Sequence, residues 1–375
     1  MRAVQCKDYT PTNSYESVLT VQDSVPTPNV HTDTPPAGFR NPMLVRVLSV
    51  ALAPGDVRAM SGATRELQGP PSFPYTPGGD VCGVVVTMPG EMKNKKGETW
   101  KFDVGDRIAA RFVNKPMGML GEYALVSPDV CDKVPEGVSN DGAAALVSSG
   151  TVAVIISDYI RQGDRVLIFG AGGGVGSHLC QAVRLNGASY VVGVGKDPER
   201  LTSKPLSCDK ALNYMHDDAY SVEEWQNKPF DVVIDLVGGV WPTLLKQRGQ
   251  QQSIVKPSNQ GGRYLTTTPD KAIFEGRSMW ALLKVFLFPA LWRATYTRIG
   301  LFSRSSLPKY SYVIGLPGSS EIVTRTLSLA AEGKIVPCID DSGPFPLTTE
   351  GVRDAFRLQA SRHPKGKVVV KVSEK

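Results

Sequence analysis

The sequence has no paired cysteines. Six stand apart, at Cys6, Cys82, Cys131, Cys180, Cys208 and Cys338, with no C-x-x-C among them. That spacing indicates neither a zinc knuckle nor a disulfide framework and fits a reducing compartment. Long hydrophobic runs are also lacking. The most apolar stretch, Ser278 to Ile299, holds Lys284, Pro289 and Arg293. Its longest charge-free run, Val285 to Trp292, is far shorter than the ~20 residues of a spanning helix. The net charge is +6, yet no five basic residues run together. The nearest approach, KNKKGETWK at 93–101, reads as a solvated loop, so no nucleic-acid partner is expected. The N-terminal MRAVQCKDY has neither the apolar core of a signal peptide nor the Arg/Ser-rich pattern of a transit peptide, which makes a cytoplasmic location the expectation. There is no internal repeat.

The 375 residues suit two domains, and 41% hydrophobic with 21% charged residues is the composition of an ordinary globular chain with a sizeable core. One stretch dominates, RVLIFGAGGGVGSHLCQAVRLNGA at 165–188. Val166 to Phe169 has the length of a buried strand, and Ser177 to Asn186 has helical character and stops at Gly187. Between them lie Gly170, Ala171, Gly172, Gly173, Gly174, Val175 and Gly176. Glycines let a backbone come close to a ligand, and a helix start offers unpaired N–H groups and a positive dipole end. The spacing Ala171-x-Gly173-x-x-Gly176 puts alanine at the first glycine of the dinucleotide fingerprint. A second strand, Tyr190 to Val194, follows at the distance a βαβ unit needs.

Residues 1 to about 147 read as short strands between Gly/Pro turns, including Met43–Val50, Val81–Val86, Asp106–Arg111 and Glu122–Val126. From Asp141 the pattern changes. An alanine-rich helix (Asp141 to Tyr159) leads into alternating strands and helices, with further strands at Phe230–Leu236 and Arg263–Thr267. That alternation predicts an α/β fold with a doubly wound parallel sheet. A last strand, Gly366 to Val372, is again like the β-rich part. Ser278 to Ile299 fits a buried helix pair broken at Pro289, a subunit contact, a flap over a lipophilic site, or a membrane-surface helix.

Several separated motifs agree: APGDVR at 53–58, FPYTPGGDVCGVV at 73–85, VGDR at 104–107, GEYA at 121–124, FDVVID at 230–235, GGRY at 261–264 and KGKVV at 365–369. In this order the chain resembles the zinc-independent medium-chain dehydrogenase/reductases, in the NADPH:quinone oxidoreductase and enoyl/alkenal reductase branch. Within that branch it is most similar to the mitochondrial reticulon-4-interacting proteins and their relatives, whose long apolar insert after Tyr264 it shares. The resemblance implies a GroES-like β-rich domain (1–147 plus 337–375), a Rossmann domain (148–336), a cofactor in the cleft between them, a homodimer, and a mitochondrial location as an alternative to the cytoplasm.

Zinc-dependent members supply ligands from a Cys and a Gly-His-Glu motif. Here those positions read Ala53 and Gly78-Gly79-Asp80, no cysteine quartet exists, and His31, His178, His216 and His363 lie elsewhere. No metal site is therefore expected. The second strand ends Val194-Gly195-Lys196-Asp197, without the acid that binds a ribose 2′-OH, and Lys196 and Arg200 offer cations for a 2′-phosphate. Tyr214, in Asn213-Tyr214, matches a family tyrosine that approaches the same phosphate. The expected cofactor is NADPH. Val237, Gly238, Leu265 and Thr266 are placed after the fourth and fifth strands, where a sheet edge meets cofactor. Thr151 is carried over from the family segment beside the nicotinamide. Asp56 matches a family aspartate near the active cleft, with a turn or N-cap role as its other reading. Tyr75 is a candidate for the substrate cleft or an ordinary core tyrosine. The expected reaction is hydride transfer to a small hydrophobic quinone or enone. Two alternatives stay open, an NADPH-binding interaction protein with vestigial catalysis and an enoyl-thioester reductase.

Overall fold

The computed structural model describes residues 1–11, 13–30, 41–70, 72–89, 102–246, 253–270, 278–297, 307–314 and 319–374. The basic stretch 93–101 and His31 lie outside them. The chain divides into two compact units, Met1–Thr151 with Leu316–Lys375, and Val152–Gly315.

In the first unit β1 (Ala3–Cys6) and β2 (Leu19–Gln22) form an antiparallel ribbon. The strands β3 (Met43–Leu52), β4 (Asp80–Thr87), β5 (Arg107–Arg111), β6 (Tyr123–Val126) and β7 (Cys131–Lys133) pair antiparallel, with β3 in the centre. In the N-terminal half of β3, Met43, Val45 and Val47 are buried and Leu44 and Arg46 are half-buried, the alternation of a strand with one face on a core. The helix Asn140–Ser157 is long and apolar enough to cross a membrane, but most of it is buried inside the protein. Its Ala143, Ala144 and Val147 pack with Val323 and Leu327 of the helix Ser320–Ala331. That packing moves the second domain crossing to 315/316 from the expected 336, because an amphipathic helix belongs to the unit that buries its apolar face.

The second unit is a six-stranded parallel sheet made of β8 (Arg165–Phe169), β9 (Tyr190–Gly195), β10 (Lys210–Asn213), β11 (Val232–Asp235), β12 (Arg263–Thr266) and β13 (Lys309–Tyr312). The order is β10-β9-β8-β11-β12-β13, the doubly wound arrangement whose reversal between first and fourth strands opens a crevice at their carboxyl ends. The two edge strands escape the sequence pattern because they are short and carry polar residues, KALN and KYSY. The chain then returns to the first unit, where β14 (Phe345–Pro346) pairs with β15 (Val368–Lys371) and β15 lies antiparallel to β3.

The apolar insert is a helical run, Met279–Leu282, a π turn Leu283–Leu287, and Phe288–Tyr296. Pro289 sits in the first turn of the last segment, where a missing N–H costs nothing. It does not break the run into a buried pair. One side, through Ala290, Ala294 and Tyr296, packs on the core around Trp241 and Tyr310. The other side faces solvent.

Candidate active site

The glycine turn is held by packing at its two ends and open in its middle. Gly170 has φ +82°, and a Cβ there would lie 2.7 Å from Val237 Cγ1. A Cβ on Gly176 would lie 2.1 Å from the Gly170 carbonyl oxygen. These two glycines let the helix Gly174–Leu185 press against its strand. The turn is tied to β9, since the N–H groups of Gly170 and Ala171 both donate to Val194 O, at 3.0 and 3.1 Å. Gly172 and Gly173 differ. A Cβ on either would meet no atom of the chain closer than 3.8 Å and 3.7 Å. The chain itself does not require glycine there; a ligand lying against the backbone would.

The helix that follows begins with its N–H groups uncommitted. Ser177 N–H donates to Gly173 O at 2.9 Å, and the N–H groups of Gly174, Val175 and Gly176 come before it, where a helix start has no preceding turn of carbonyls to accept them. Gly173 has no side chain to cap with, and the first turn carries no carboxylate. The site therefore suits an anion, and a pyrophosphate is the group that fingerprint implies.

Beside it, Lys196 is exposed at the end of β9 and the Arg200 guanidinium donates to Gly172 O at 3.1 Å. Asp197 follows the strand end, and its carboxylate accepts from Arg200 N–H as the cap of the helix Pro198–Thr202. Tyr214 is half-exposed, and its N–H donates to Gly195 O. Lys196, Arg200 and Tyr214 thus gather at one corner of the turn.

A hub that the sequence reading passed over sits at the end of β11. Asp235 is buried; its Oδ1 accepts from the N–H groups of Val237 (2.9 Å) and Gly238 (2.7 Å), and its Oδ2 accepts from Val240 N–H (3.2 Å) and the Tyr264 hydroxyl (2.7 Å). Burial raises its pKa against the pull of these donors. Asp235 shapes the loop that carries Gly238 and Gly239, both at positive φ. Four residues expected to meet the cofactor lie on or beside this hub. The N–H groups of Val237 and Gly238 are occupied by Asp235. Leu265 is not past the strand but inside β12, paired with Ile234 and Ser311. The Thr266 hydroxyl donates to Asp235 O and accepts from Thr268 N–H, so it ends the strand. Thr151 also differs from expectation, its hydroxyl being fully buried and donating to Val147 O and Ser148 O of its own helix.

The first unit holds a second constellation. Asp56 is buried at the third position of the helix Pro54–Ser61, where its Oδ2 accepts from Ala53 N–H at 2.7 Å. Among the described residues its buried Oδ1 has no hydrogen-bond partner, and the buried Tyr75 hydroxyl lies beside the Cys6 thiol. Burial, and then the charge of Asp80, push the Asp56 carboxyl up to about 7. Burial likewise raises the Tyr75 phenol. Asp80 is fully engaged, with Oδ1 accepting from Ser148 Oγ (2.5 Å) and Oδ2 from Lys367 Nζ (3.0 Å). Arg111, opposite Asp80 across the β4–β5 ladder, is buried as well, and burial lowers its pKa. The sequence reading missed Lys367 and Arg111 as members of this group. The signal for Lys367 was its place just before β15, whose register puts Val368 opposite Leu52 and so brings Lys367 beside Ala53.

Zinc does not fit this donor set. The two family ligand positions are Ala53, which has no donor, and the Gly79-Asp80 pair, whose carboxylate is bound to Lys367 and Ser148. Among the described residues no three His, Cys, Asp or Glu side chains cluster as a metal would need. A separate cavity of about 210 Å³ lies under the apolar insert, lined by Asp270, Phe286, Pro289, Arg293, Tyr310 and Tyr312 among others. None of its lining residues belongs to the glycine turn.

Residues 40–137 match the alcohol dehydrogenase GroES-like domain family, and residues 206–370 match the family described as zinc-binding dehydrogenase. The chain is 24% identical over 358 residues to the NADPH-dependent alkenal/one oxidoreductase of Arabidopsis thaliana chloroplasts, covering 94% of this chain and 76% of that one. It is 28% identical over 367 residues to the human mitochondrial NAD(P)H oxidoreductase RTN4IP1, covering 89% and 82%. In fold it is similar to the Escherichia coli quinone oxidoreductase solved with NADPH, at a TM-score of 0.68 and 19% identity, covering 99% of this chain and 100% of that one. The two domain families follow one another along the chain, and the relatives align along most of it. The chain is an oxidoreductase that belongs to the medium-chain dehydrogenase/reductase superfamily, in its quinone oxidoreductase branch.

Proposed function

We propose that this oxidoreductase uses NADPH to reduce quinones or activated C=C bonds, such as those of enones and enals, without zinc. The observation that carries the reading is the corner of the glycine turn. There the backbone is open at Gly172 and Gly173, the Asp197 carboxylate caps a helix, and Lys196, Arg200 and Tyr214 gather beside the turn, which supports recognition of a 2′-phosphate. When bound, the nicotinamide supplies a hydride.

The residues of the chain do the rest. The N–H groups of Gly174, Val175 and Gly176 bind the pyrophosphate. Arg200 and Lys196 bind the 2′-phosphate with charge-assisted bonds. Asp235 fixes the loop at the end of β11, next to the turn. Asp56 keeps a proton on its carboxyl near neutral pH because ionising it in place would leave a buried charge beside Asp80. An enone that has taken up hydride at its β-carbon needs a proton at the α-carbon or the enolate oxygen, and we assign Asp56 as its source. A quinone reaches its hydroquinone with a proton from water, so Asp56 matters less for that class.

The test is NADPH consumption by the purified protein with phenanthrenequinone, benzoquinone, an alkenal and an enoyl thioester. Turnover with a quinone or the alkenal, faster with NADPH than with NADH, is expected. Tight NADPH binding with no turnover across the panel would refute the catalytic reading, and turnover of the thioester alone would move the substrate class.

A further inference from the structure

The apolar insert presents its hydrophobic side outward. Along the run Met279–Tyr296 the exposed residues, among those described, are Trp280, Lys284, Leu287, Phe288, Leu291, Trp292 and Thr295. Counted from Trp280 they fall at steps of four, seven, eight, eleven, twelve and fifteen, which is one continuous face of a helix. Trp280 is 66% exposed, Leu291 56% and Trp292 72%. The opposite face, not this one, meets the protein. A solvent face made of two tryptophans, a phenylalanine and two leucines inverts the usual amphipathic arrangement, and contiguous apolar patches of this kind mark contact sites.

The charge pattern says which contact. From 278 to 306 the sequence holds Lys284, Arg293, Arg298 and Arg304 and no acidic residue. Arg293 turns inward to the Asp270 carboxylate, at 2.8 and 2.5 Å. Lys284 stands within the exposed face. A second copy of the chain docked about a two-fold axis would set this face against itself and bury the Lys284 ammonium in an interface that offers it no acidic partner. An anionic bilayer reverses that sign. Tryptophans near the two ends of the run would sit at headgroup level, the leucines and Phe288 would enter the acyl boundary, and Lys284 would reach back to the phosphates.

We propose that Met279–Tyr296 is a monotopic membrane anchor that lies in the surface of a bilayer containing anionic phospholipid. The helix lies on the membrane and does not span it, since its inner side is packed on the second unit and its length is under the ~20 residues a crossing needs. The inference stands apart from the NADPH reading, because it uses no residue of the glycine turn or of the Asp56 group.

The test is flotation of the whole protein with phosphatidylcholine vesicles, with and without phosphatidylglycerol. The expected result is co-flotation with the anionic vesicles, weakened by salt, and quenching of tryptophan fluorescence by brominated lipid. The triple variant Trp280→Ser, Leu291→Ser, Trp292→Ser should lose partitioning by at least ~tenfold while keeping its melting temperature and NADPH binding. Lys284→Glu should weaken partitioning to the anionic vesicles only. Failure to float with anionic vesicles would overturn the proposal. So would flotation unchanged in the triple variant, or a wild-type dimer that the triple variant turns into a monomer with no lipid bound by either.

Discussion

Asp56→Asn separates a buried acid from a merely structural aspartate. Asparagine keeps the size of the side chain and an oxygen for Ala53 N–H, and it removes the titration. The wild-type carboxyl moves from 3.8 to about 7 on folding, so between those values the native state holds a proton that the unfolded state has released. Stability is then fully present below the unfolded pKa and falls as pH rises through the folded one. At ~1.36 kcal/mol per pKa unit, the loss across the window approaches an upper bound of about 4 kcal/mol. Asp235, also raised by burial, contributes in the same direction, so the quantity to read is the difference between wild type and variant. Urea unfolding from about pH 4.5 to about pH 7.5 should show a wild-type stability that declines more steeply than that of Asp56→Asn and levels off above about pH 7. With an alkenal substrate, wild-type kcat should fall above about pH 7 as the proton is lost. The variant should be slower and flat in pH, and less affected with a quinone. Parallel stability curves for the two proteins, or an unchanged alkenal pH profile in the variant, would refute the assignment of a protonated Asp56.

Gly176→Ala places its Cβ on the Gly170 carbonyl and should cost at least ~2 kcal/mol in chemical unfolding. Gly172→Ala meets no obstacle in the chain, so it should leave stability within ~1 kcal/mol and weaken NADPH binding about tenfold or more by calorimetry. Lys367→Met strands the Asp80 carboxylate in the interior and should destabilise by ~3–5 kcal/mol in urea melts. Asp235→Asn weakens the acceptor for three backbone N–H groups and the Tyr264 hydroxyl, so proton exchange at Val237, Gly238 and Val240 should speed up markedly while the core strands stay protected.

The parallel sheet and the glycine turn were legible because local pattern and tertiary role coincide. Val166–Phe169, the turn and Gly174–Leu185 each behave as their own residues require. The β-rich unit was legible from alternation in Met43–Val50 and from the motifs of the resembling family. What stayed hidden depends on contacts distant in sequence. Asp235 reads as the last residue of a strand until the chain folds four donors onto it. Lys367 and Asp80 are 287 residues apart, and only strand register brings them together. Position alone marked Thr151 and Thr266, and it does not show that both hydroxyls donate to carbonyls of the chain, as a buried hydroxyl must find an acceptor. In the insert, hydropathy alone shows an apolar helix and not which side the protein covers.

The central claim is that the corner formed by Lys196, Arg200 and Tyr214 selects a 2′-phosphorylated dinucleotide. Titration calorimetry of NADPH and NADH into the wild type and Arg200→Ala tests it most directly. The account predicts NADPH bound ~10- to 100-fold tighter than NADH, as one charge-assisted bond of ~1.5–3 kcal/mol provides. Arg200→Ala should lose most of that difference while NADH affinity stays put. Equal affinities in the wild type, or a preference for NADPH that survives Arg200→Ala undiminished, would contradict it.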